Sequence, residues 1–421
     1  MLLELTEINK MCTKFDLSDL GNAKKFLSSF VAQYEDSDTD TCPLRARCYS
    51  MNKDEVDGEI SDILLRFLEK KCQHQLTACI VNECIKKFRE KDYEEFVMDG
   101  TDTDETQYNA KLMSEALFQV LLDICKIWNS DLPTDVLLKN SLSLDVYVHS
   151  IKNKRRKMED RFVSMPHINV MFGCSEKAES EALFGVFDGH GGTDAADYAA
   201  SQLASNLKRS GGPCDPVDAL HDAFVRTDSQ FVTKGVREKL RSGATAAVAY
   251  IVDSNLHIAW VGDSQIVLSK NATAFQVMDP HKPNRDDERK RIEELGGCVV
   301  FFGGWRVNGS LAVSRAIGDY EQKPYISGEP DIESYEMEGD EEFLILACDG
   351  LWDVVDPQAA VDNVHNNLVS GTRHMAAEKL VELAVSLGSM DNVTVMVVYF
   401  DCFNADQGTG HTLPEEEVSS S

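Results

Sequence analysis

Apolar side chains in the first 140 or so residues recur at the spacing of an amphipathic helix. One stripe consists of Ile60, Ile63, Leu64 and Phe67, and a second of Leu117, Val120, Leu121 and Ile124. Both follow the i, i+3, i+4, i+7 spacing that puts apolar residues on one helix face. Polar, acidic stretches at 35–40 and 99–105 interrupt the stripes, and residues 129–133 are typical of a helix end. We therefore predict an all-helical N-terminal domain over residues 1–142.

From about residue 144 the pattern changes to short runs of β-branched and aromatic residues. Strands are predicted over 183–187, 246–252, 256–261, 343–347 and 393–400, with helices over 218–231 and 285–295. Interleaved strands and helices predict a layered α/β or α+β domain over residues 143–402. Residues 403–421 contain glycine, proline, three consecutive glutamates and three serines without apolar periodicity, so a disordered tail is expected there.

Length and charge narrow the class of protein. The chain has 421 residues, more than one ordinary domain of roughly 100 to 200 residues. Its net charge of -29 repels nucleic acid phosphates and anionic membrane surfaces. Its longest apolar runs fall well short of the roughly 18 to 20 residues of a bilayer span, and the first residues lack the basic start of a signal peptide. We expect no nucleic acid partner, no membrane span and a location in the cytoplasm, with the nucleus as an alternative.

Several kinds of catalytic site are disfavoured by what the sequence lacks. The twelve cysteines form no CxxC pair and no framework spacing, so reduced thiols are expected. Because no arginine lies six positions beyond a cysteine, a cysteine-based phosphatase is disfavoured. The chain also has no Gly-Lys pair for a Walker A loop and no HExxH zinc helix.

Aspartates lie at the ends of several predicted strands. Asp188, Asp263 and Asp349 follow strands, Asp353 lies four residues after Asp349, and Asp391 enters a strand that would be antiparallel. Carboxylates brought together would repel one another and raise their pKa values, so a bound divalent metal is the natural reason to collect them. Oxygen ligands favour Mg²⁺ or Mn²⁺ over Zn²⁺. Any one Asp-Gly pair is more often only a turn or helix cap, but four such sites weaken that interpretation.

A basic run at 152–157 leads directly into Glu159 and Asp160. Its simplest interpretations are a solvated face or a nuclear-import patch. Beside divalent metals, an arginine could instead grip a phosphate dianion with a bidentate fork, which lysine cannot imitate. We expect one arginine of this run to face inward.

Together these residues resemble the metal-dependent Ser/Thr protein phosphatases of the PP2C (PPM) family. The matching blocks, in chain order, are RRKMED, VFDGHGG, SGATA, GDS, RVNGSLAVSRAIGD, ACDGLWD and MDNVTV. The resemblance spans roughly residues 143–402 and is nearest to the Ca²⁺/calmodulin-dependent protein kinase phosphatase branch, including the nematode sex-determination phosphatase. It implies an α+β fold: a β-sandwich of two mainly antiparallel sheets flanked by helices, with a binuclear metal centre at one end.

The resemblance also implies the metal ligands. Glu159, Asp188, Asp349 and Asp391 would hold two Mg²⁺ or Mn²⁺ ions, directly or through water. Gly189 would contribute its backbone carbonyl, and Asp160 would lie behind the ligands.

A third, weaker metal site is implied beside the first two. Asp263 and Asp353 would form it with Asp349. The family's GDSR motif reads GDSQ here, so Gln265 removes a cation and puts local packing in doubt while Asp263 remains.

Two further residues are implied to act on the substrate. Arg155 matches the phosphate-binding arginine, with the adjacent Arg156 as the alternative, and His190 matches the general acid. The implied reaction is the hydrolysis of phosphoserine or phosphothreonine by a water activated between the metals. Arg155 would neutralise phosphate oxygens, and His190 would protonate the leaving oxygen.

The resemblance implies phosphoprotein substrates, protein kinases among them. For the N-terminal helices we predict the docking of a regulatory partner, with autoregulation or simple stability as alternatives. Two other functions remain open for the chain as a whole. One is a catalytically silent scaffold that binds phosphoproteins, and the other is a nucleotide hydrolase that uses the same metals.

Overall fold

Helices dominate the N-terminal third of the chain. A computed structural model describes residues 12–13, 17–35, 42–69, 71–98, 106–133, 141–142, 144–173, 180–209, 212 and 214–400. The first helices are α1 (Leu17–Tyr34), α2 (Val56–Leu68), α3 (His74–Arg89) and α4 (Ala110–Ser130). The predicted stripes lie in α2 and α4, and all but half-buried Phe67 are buried. Strands β1 (Cys12–Thr13) and β2 (Ser50–Met51) pair with β4 (Ser141–Leu142) and β3 (Tyr108–Asn109) respectively.

Strands and helices alternate through the rest of the chain. The strands are β5 (Leu144–Ile151), β6 (Arg161–Met165), β7 (Glu181–Phe187), β8 (Gly189–His190), β9 (Gly243–Ala244), β10 (Ala246–Val252), β11 (Asn255–Val261), β12 (Gln265–Lys270), β13 (Thr273–Gln276), β14 (Val299–Phe301), β15 (Trp305–Val307), β16 (Ile317–Gly318), β17 (Asp331–Glu336), β18 (Glu341–Ala347) and β19 (Val393–Phe400). The helices are α5 (Ile168–Met171), α6 (Asp194–Leu207), α7 (Pro216–Glu238), α8 (Asp286–Glu294), α9 (Asp349–Trp352), α10 (Pro357–Val369) and α11 (Ala376–Ser386). None of the helices in the described ranges combines the length and apolar composition that crossing a bilayer requires.

Two five-stranded antiparallel sheets form the centre of the fold. The first has the order β17-β11-β10-β7-β6 and the second β13-β12-β18-β19-β5. Their facing sides share one core, to which Phe184 and Trp260 contribute from the first sheet and Leu344 and Met396 from the second. Both faces of β7 and β19 are buried, which explains their nearly continuous apolar sequences.

Helices cover the outer face of each sheet. Helices α10 and α11 pack on the second sheet through residues such as Val361 and Leu380. Helices α6 and α7 cover the first sheet, and α2 packs on α6 from outside. The expected α+β sandwich with flanking helices, preceded by N-terminal helices, is confirmed.

Buried polar side chains join the N-terminal helices to α6 and α7. Lys234 Nζ donates to Ser50 O at 2.9 Å and to Glu55 Oε2 at 3.1 Å. Gln202 Nε2 donates to Glu55 O at 3.1 Å and to Glu59 Oε1 at 3.4 Å. The apolar cluster is continuous across the same contact. The boundary at residue 142 stays a prediction, and the predicted tail at 403–421 lies outside the described residues.

Glu59→Gln should remove a pH dependence of stability that comes from this contact. Burial, and to a lesser degree the charge of Asp62, raises the pKa of Glu59 from 4.5 to about 7. A raised folded-state pKa stabilises the protein below pH 4.5, and this contribution is lost as pH rises to about 7. Relative to the variant, the wild type should therefore lose on the order of 2 kcal/mol of unfolding free energy across that window. Urea denaturation at pH 5 and pH 8 measures the difference.

The exposed Glu94→Gln provides the matched control for that comparison, because it makes the same chemical change outside the contact. If the free-energy difference between wild type and Glu59→Gln is the same at pH 5 and pH 8, the assigned titration is wrong.

Candidate metal and phosphate site

Strand pairing brings the predicted carboxylates together at one end of the sandwich. Arg161 pairs with Phe187, so Asp160 and Asp188 lie beside each other at the ends of β6 and β7. One ligand atom each from Asp160, Asp188 and Cys348 lie within 4.8 Å of one another. In the second sheet, Ala347 pairs with Val395, which places the residues after β18 beside those before β19.

A single helical turn adds two more carboxylates. Helix α9 begins at Asp349, and the Asp353 amide donates to the Asp349 carbonyl at 2.9 Å. Residues four apart lie on the same helix face, so both side chains approach the cluster. Asp263, Asp353 and Asp391 all lie near enough to Asp349 to act on it electrostatically.

Burial and mutual repulsion raise the pKa values of these carboxyl groups. Burial and the charges of Asp263, Asp353 and Asp391 raise the pKa of Asp349 to about 7. Enclosure by the protein, with the charges of Asp160 and Asp349, raises the pKa of Asp188 well above its usual value. A divalent ion bound among these carboxylates would supply positive charge that offsets their repulsion.

Asp160 lies behind Asp188 and shows that the cluster fits a metal centre. Burial raises the pKa of Asp160 to about 6, against the opposing hydrogen bond from Thr394 Oγ1 to its Oδ2 at 2.7 Å. Its Oδ1 is buried without a hydrogen-bond partner among the described residues. An all-oxygen donor set with an unpaired buried carboxylate oxygen suits Mg²⁺ or Mn²⁺.

The Cys348 thiol lies among the carboxylates. Burial, together with the charges of Asp160 and Asp188, raises the pKa of its thiol well above the usual value. Because metals bind the thiolate, Cys348 is not expected to be a ligand. Its Sγ is also engaged by the backbone, since it donates to the Asn392 carbonyl at 3.5 Å and accepts from the Thr394 amide at 3.2 Å.

The backbone around Glu159 is held from both sides. The Glu159 amide donates to Asn392 Oδ1 at 2.8 Å. Asn392 Nδ2 in turn donates to the carbonyls of Lys152 at 2.9 Å and Lys157 at 3.0 Å. A Cβ on Gly189 would lie 2.5 Å from Glu159 O, so only glycine allows the two backbones to approach this closely.

Arg155 contacts the carboxylate cluster from its rim. Its Nη2 donates to Asp391 Oδ2, and this hydrogen bond raises the pKa of the guanidinium. Its side chain is 59% exposed, which leaves it accessible to a ligand from solvent. This contact favours Arg155 over Arg156 as the phosphate-binding residue.

His190 has an acidic partner that the sequence interpretation missed. His190 Nε2 lies 2.7 Å from Asp319 Oδ2, where Asp319 follows β16. Burial alone lowers the pKa of His190, but the hydrogen bond and charge of Asp319 raise it above the usual value. A Cβ on Gly243 would lie 2.0 Å from Asp319 Oδ2 and 2.5 Å from His190 Nε2. Glycine at this position therefore makes room for the pair.

Asp263 is paired with a lysine. Lys282 Nζ donates to Asp263 Oδ2, and the charge of Asp263 raises the pKa of Lys282 against the effect of burial. Burial raises the pKa of Asp353, while the charge of Lys282 opposes it. Lys282 thus supplies a cation beside Asp263, although the GDSQ motif carries Gln265 where the family has an arginine.

The part of the sequence that forms the sandwich matches a known family. Residues 144–393 match the Protein phosphatase 2C family. The chain belongs to this family. Its members generally depend on Mg²⁺ or Mn²⁺, and the matched range contains every residue that the sequence interpretation assigned to the site.

Individual PP2C relatives agree with this assignment. Human Protein phosphatase 1E is 44% identical over 362 residues, which cover 84% of this chain and 47% of that protein. Human Protein phosphatase 1F is 42% identical over 377 residues, which cover 86% of this chain and 83% of that protein. The chain therefore spans about half the length of the first relative. These matches confirm the predicted family.

Two solved structures are also similar to this chain. The structure of a C. elegans sex determining protein is 26% identical, with a TM-score of 0.70, covering 91% of this chain and 94% of that one. A serine-threonine phosphatase 2C from Toxoplasma gondii is 25% identical, with a TM-score of 0.54, and the match covers 62% of this chain and 96% of that one. The first match extends beyond the PP2C range and includes N-terminal helices.

Some residues of this site could not be found by looking for carboxylates after the predicted strands, which did not include the two-residue β16. Asp319 ends the RVNGSLAVSRAIGD block, and Asn392 and Thr394 lie within MDNVTV, so the blocks contained them without indicating a role. Lys282 lies outside the matched blocks. Each acts by contacting a predicted site residue.

Proposed function

We propose that this chain hydrolyses phosphoserine and phosphothreonine in proteins at the acidic end of the sandwich. The observation that carries the proposal is the convergence of raised-pKa carboxylates around Asp188 with Arg155 at their rim. Hard oxygen ligands beside a guanidinium suit a phosphate ester bound to divalent ions. The family match supports the same conclusion.

Each residue has a proposed place. Glu159, Asp188, Asp349, Asp391 and the Gly189 carbonyl would hold two Mg²⁺ or Mn²⁺ ions, while Asp263 and Asp353 would hold a third with Asp349. Asp160 would orient these ligands through its position behind Asp188. When bound, the ions would acidify a water and neutralise charge on the phosphate.

The side chains that act on substrate are Arg155 and His190. The exposed guanidinium of Arg155 can exchange Asp391 for two phosphate oxygens, because its planar fork fits them bidentately. His190, whose protonated form is stabilised by Asp319, can transfer a proton to the departing seryl or threonyl oxygen. Asp319 then stabilises the orientation of the ring.

The test is phosphate release by the purified full chain from a phosphothreonine peptide, with Mn²⁺, with Mg²⁺ and with EDTA. We expect release with either metal and none with EDTA. Faster release from ATP than from the peptide would favour a nucleotide hydrolase. No release from folded protein with either metal would favour a silent phosphoprotein scaffold.

The finer assignments are also proposals. We propose protein kinases among the substrates, a location in the cytoplasm or nucleus, and a regulatory partner that binds the N-terminal helices. The exposed Leu112 and Ile127 on α4 support a partner surface. Ile127→Ser should alter cellular substrate choice without changing peptide hydrolysis, and unchanged substrate choice would count against partner docking.

A further inference from the structure

The side chain of Arg161 closes over the loop that carries Glu159. Its Nη1 donates to the Met158 carbonyl at 3.1 Å and to the Asp160 carbonyl at 2.8 Å. These two carbonyls flank Glu159 in the chain, so one guanidinium holds the backbone on both sides of the proposed ligand. The Arg161 side chain is only 19% exposed, which limits competition from water.

Asp197 holds that guanidinium in place. Arg161 Nε donates to Asp197 Oδ1 at 2.5 Å and Nη2 to Asp197 Oδ2 at 3.2 Å, a two-point contact that fixes the plane of the fork. Asp197 lies in the first turn of α6, where the helix dipole favours a carboxylate. The contact therefore joins α6 to the start of β6.

The ion pairs continue into the N-terminal helices. Arg47 Nε lies 3.2 Å from Asp197 Oδ1, and Arg47 Nη1 lies 3.3 Å from Asp62 Oδ1 in α2. Arg66 Nε contacts the other oxygen of Asp62 at 2.8 Å. A continuous series of charged side chains thus runs from α2 to the backbone beside Glu159.

We infer that Arg161 is a positioning residue for Glu159, and that Asp197 and Arg47 support it from α6 and the N-terminal segment. The inference rests on the proposed metal role of Glu159. Groups that orient a metal ligand without touching the metal typically contribute about 10- to 100-fold in metal affinity. A carboxylate whose backbone is held on both sides has less conformational freedom to lose when it binds a cation.

The test measures the affinity of the full chain for Mn²⁺ by calorimetry in the absence of substrate. Arg161→Met, which keeps an unbranched side chain without the charge, should weaken Mn²⁺ binding by about tenfold. The Mn²⁺ affinity of Arg161→Lys should lie between those of wild type and Arg161→Met, because an ammonium keeps the charge but cannot reproduce the fork that contacts Asp197 and both carbonyls. Arg89→Met removes a comparable two-point ion pair with Asp57, away from this loop, and should stay within about twofold of wild type.

Variants along the series test the connection. Asp197→Asn should weaken Mn²⁺ binding by several-fold, and adding it to Arg161→Met should cause little further loss, because Asp197 acts through Arg161. Arg47→Met should weaken Mn²⁺ binding by about two- to threefold, since Arg47 acts on Arg161 only through Asp197. Mn²⁺ affinity of Arg47→Met equal to that of wild type would overturn the part assigned to the N-terminal segment.

Thermal unfolding of each variant separates positioning from simple stability. If Arg161→Met lowers the melting temperature but binds Mn²⁺ within twofold of wild type, the residue is structural and the inference fails. If Arg161→Met does not fold, Arg161→Lys carries the same test. Wild type that binds Mn²⁺ but releases no phosphate would refute the proposed function, while the affinity comparison would still decide the role of Arg161.

Discussion

Asp188→Asn is expected to lower metal-dependent phosphate release by more than about 100-fold, because groups outside the coordination sphere alone are worth about 10- to 100-fold. Asp188 lies at the end of β7 beside Asp160 and within electrostatic reach of Asp349, and we propose that its carboxylate would bind the metal ions. An amide has no negative charge to offer them. The measurement is phosphate release from a phosphothreonine peptide with saturating Mn²⁺.

The same variant should not destabilise the metal-free fold. The neutral amide removes a group whose ionised form is repelled by neighbouring carboxylates, so the melting temperature in EDTA should equal or exceed that of wild type. Stabilisation by added Mn²⁺ should be largely lost. Asp222→Asn makes the same change in an ion pair with Arg209 at 3.0 Å and should retain full activity. Unchanged release by Asp188→Asn would refute its metal role.

His190→Ala is expected to slow hydrolysis of an alkyl phosphate ester by about 10²- to 10⁴-fold, the usual contribution of a general acid. An aryl ester should be slowed far less, since a phenolate leaves without prior protonation. Rates for a phosphoserine peptide and for an aryl phosphate, measured on the same preparation, give the ratio. Equal slowing of both esters would remove the assigned role.

Asp319→Asn gives the companion test through the pH profile. Asp319 raises the pKa of His190, which keeps the acid protonated to higher pH. Without that charge the pKa falls, so the loss of alkyl-ester hydrolysis at high pH should begin at lower pH. Aryl-ester hydrolysis should keep its profile. An unshifted alkyl-ester profile would mean that Asp319 does not control the charge of His190.

The local sequence pattern was sufficient to predict strands whose residues are buried along nearly their whole length. The predicted strands at 246–252 and 393–400 coincide with β10 and β19, because continuous burial selects an unbroken apolar sequence. Helix α7 extends beyond the predicted 218–231 at both ends. At its N-terminal end, Asp215 accepts hydrogen bonds from the amides of Val217 and Asp218. Strand β17 was missed because its half-exposed, acidic sequence lacks an apolar run.

The sequence by itself was sufficient to predict a metal-binding carboxylate cluster, and the tertiary structure decided which side chains contact and support it. A carboxylate directly after a buried strand can be recognised locally, since the strand and its end are adjacent in the chain. The partners of those residues are not adjacent. His190 and Asp319 are 129 residues apart, and Glu159 and Asn392 are 233 apart.

Only the folded chain shows how the N-terminal helices relate to the acidic end of the sandwich. Arg47, Asp197 and Arg161 look in sequence like ordinary surface charges, because periodicity reports which face a residue occupies and not which charge it meets. Packing α2 against α6 brings them into one series beside Glu159. That juxtaposition depends on the docking of helices and sheet from distant parts of the chain, which no local pattern encodes.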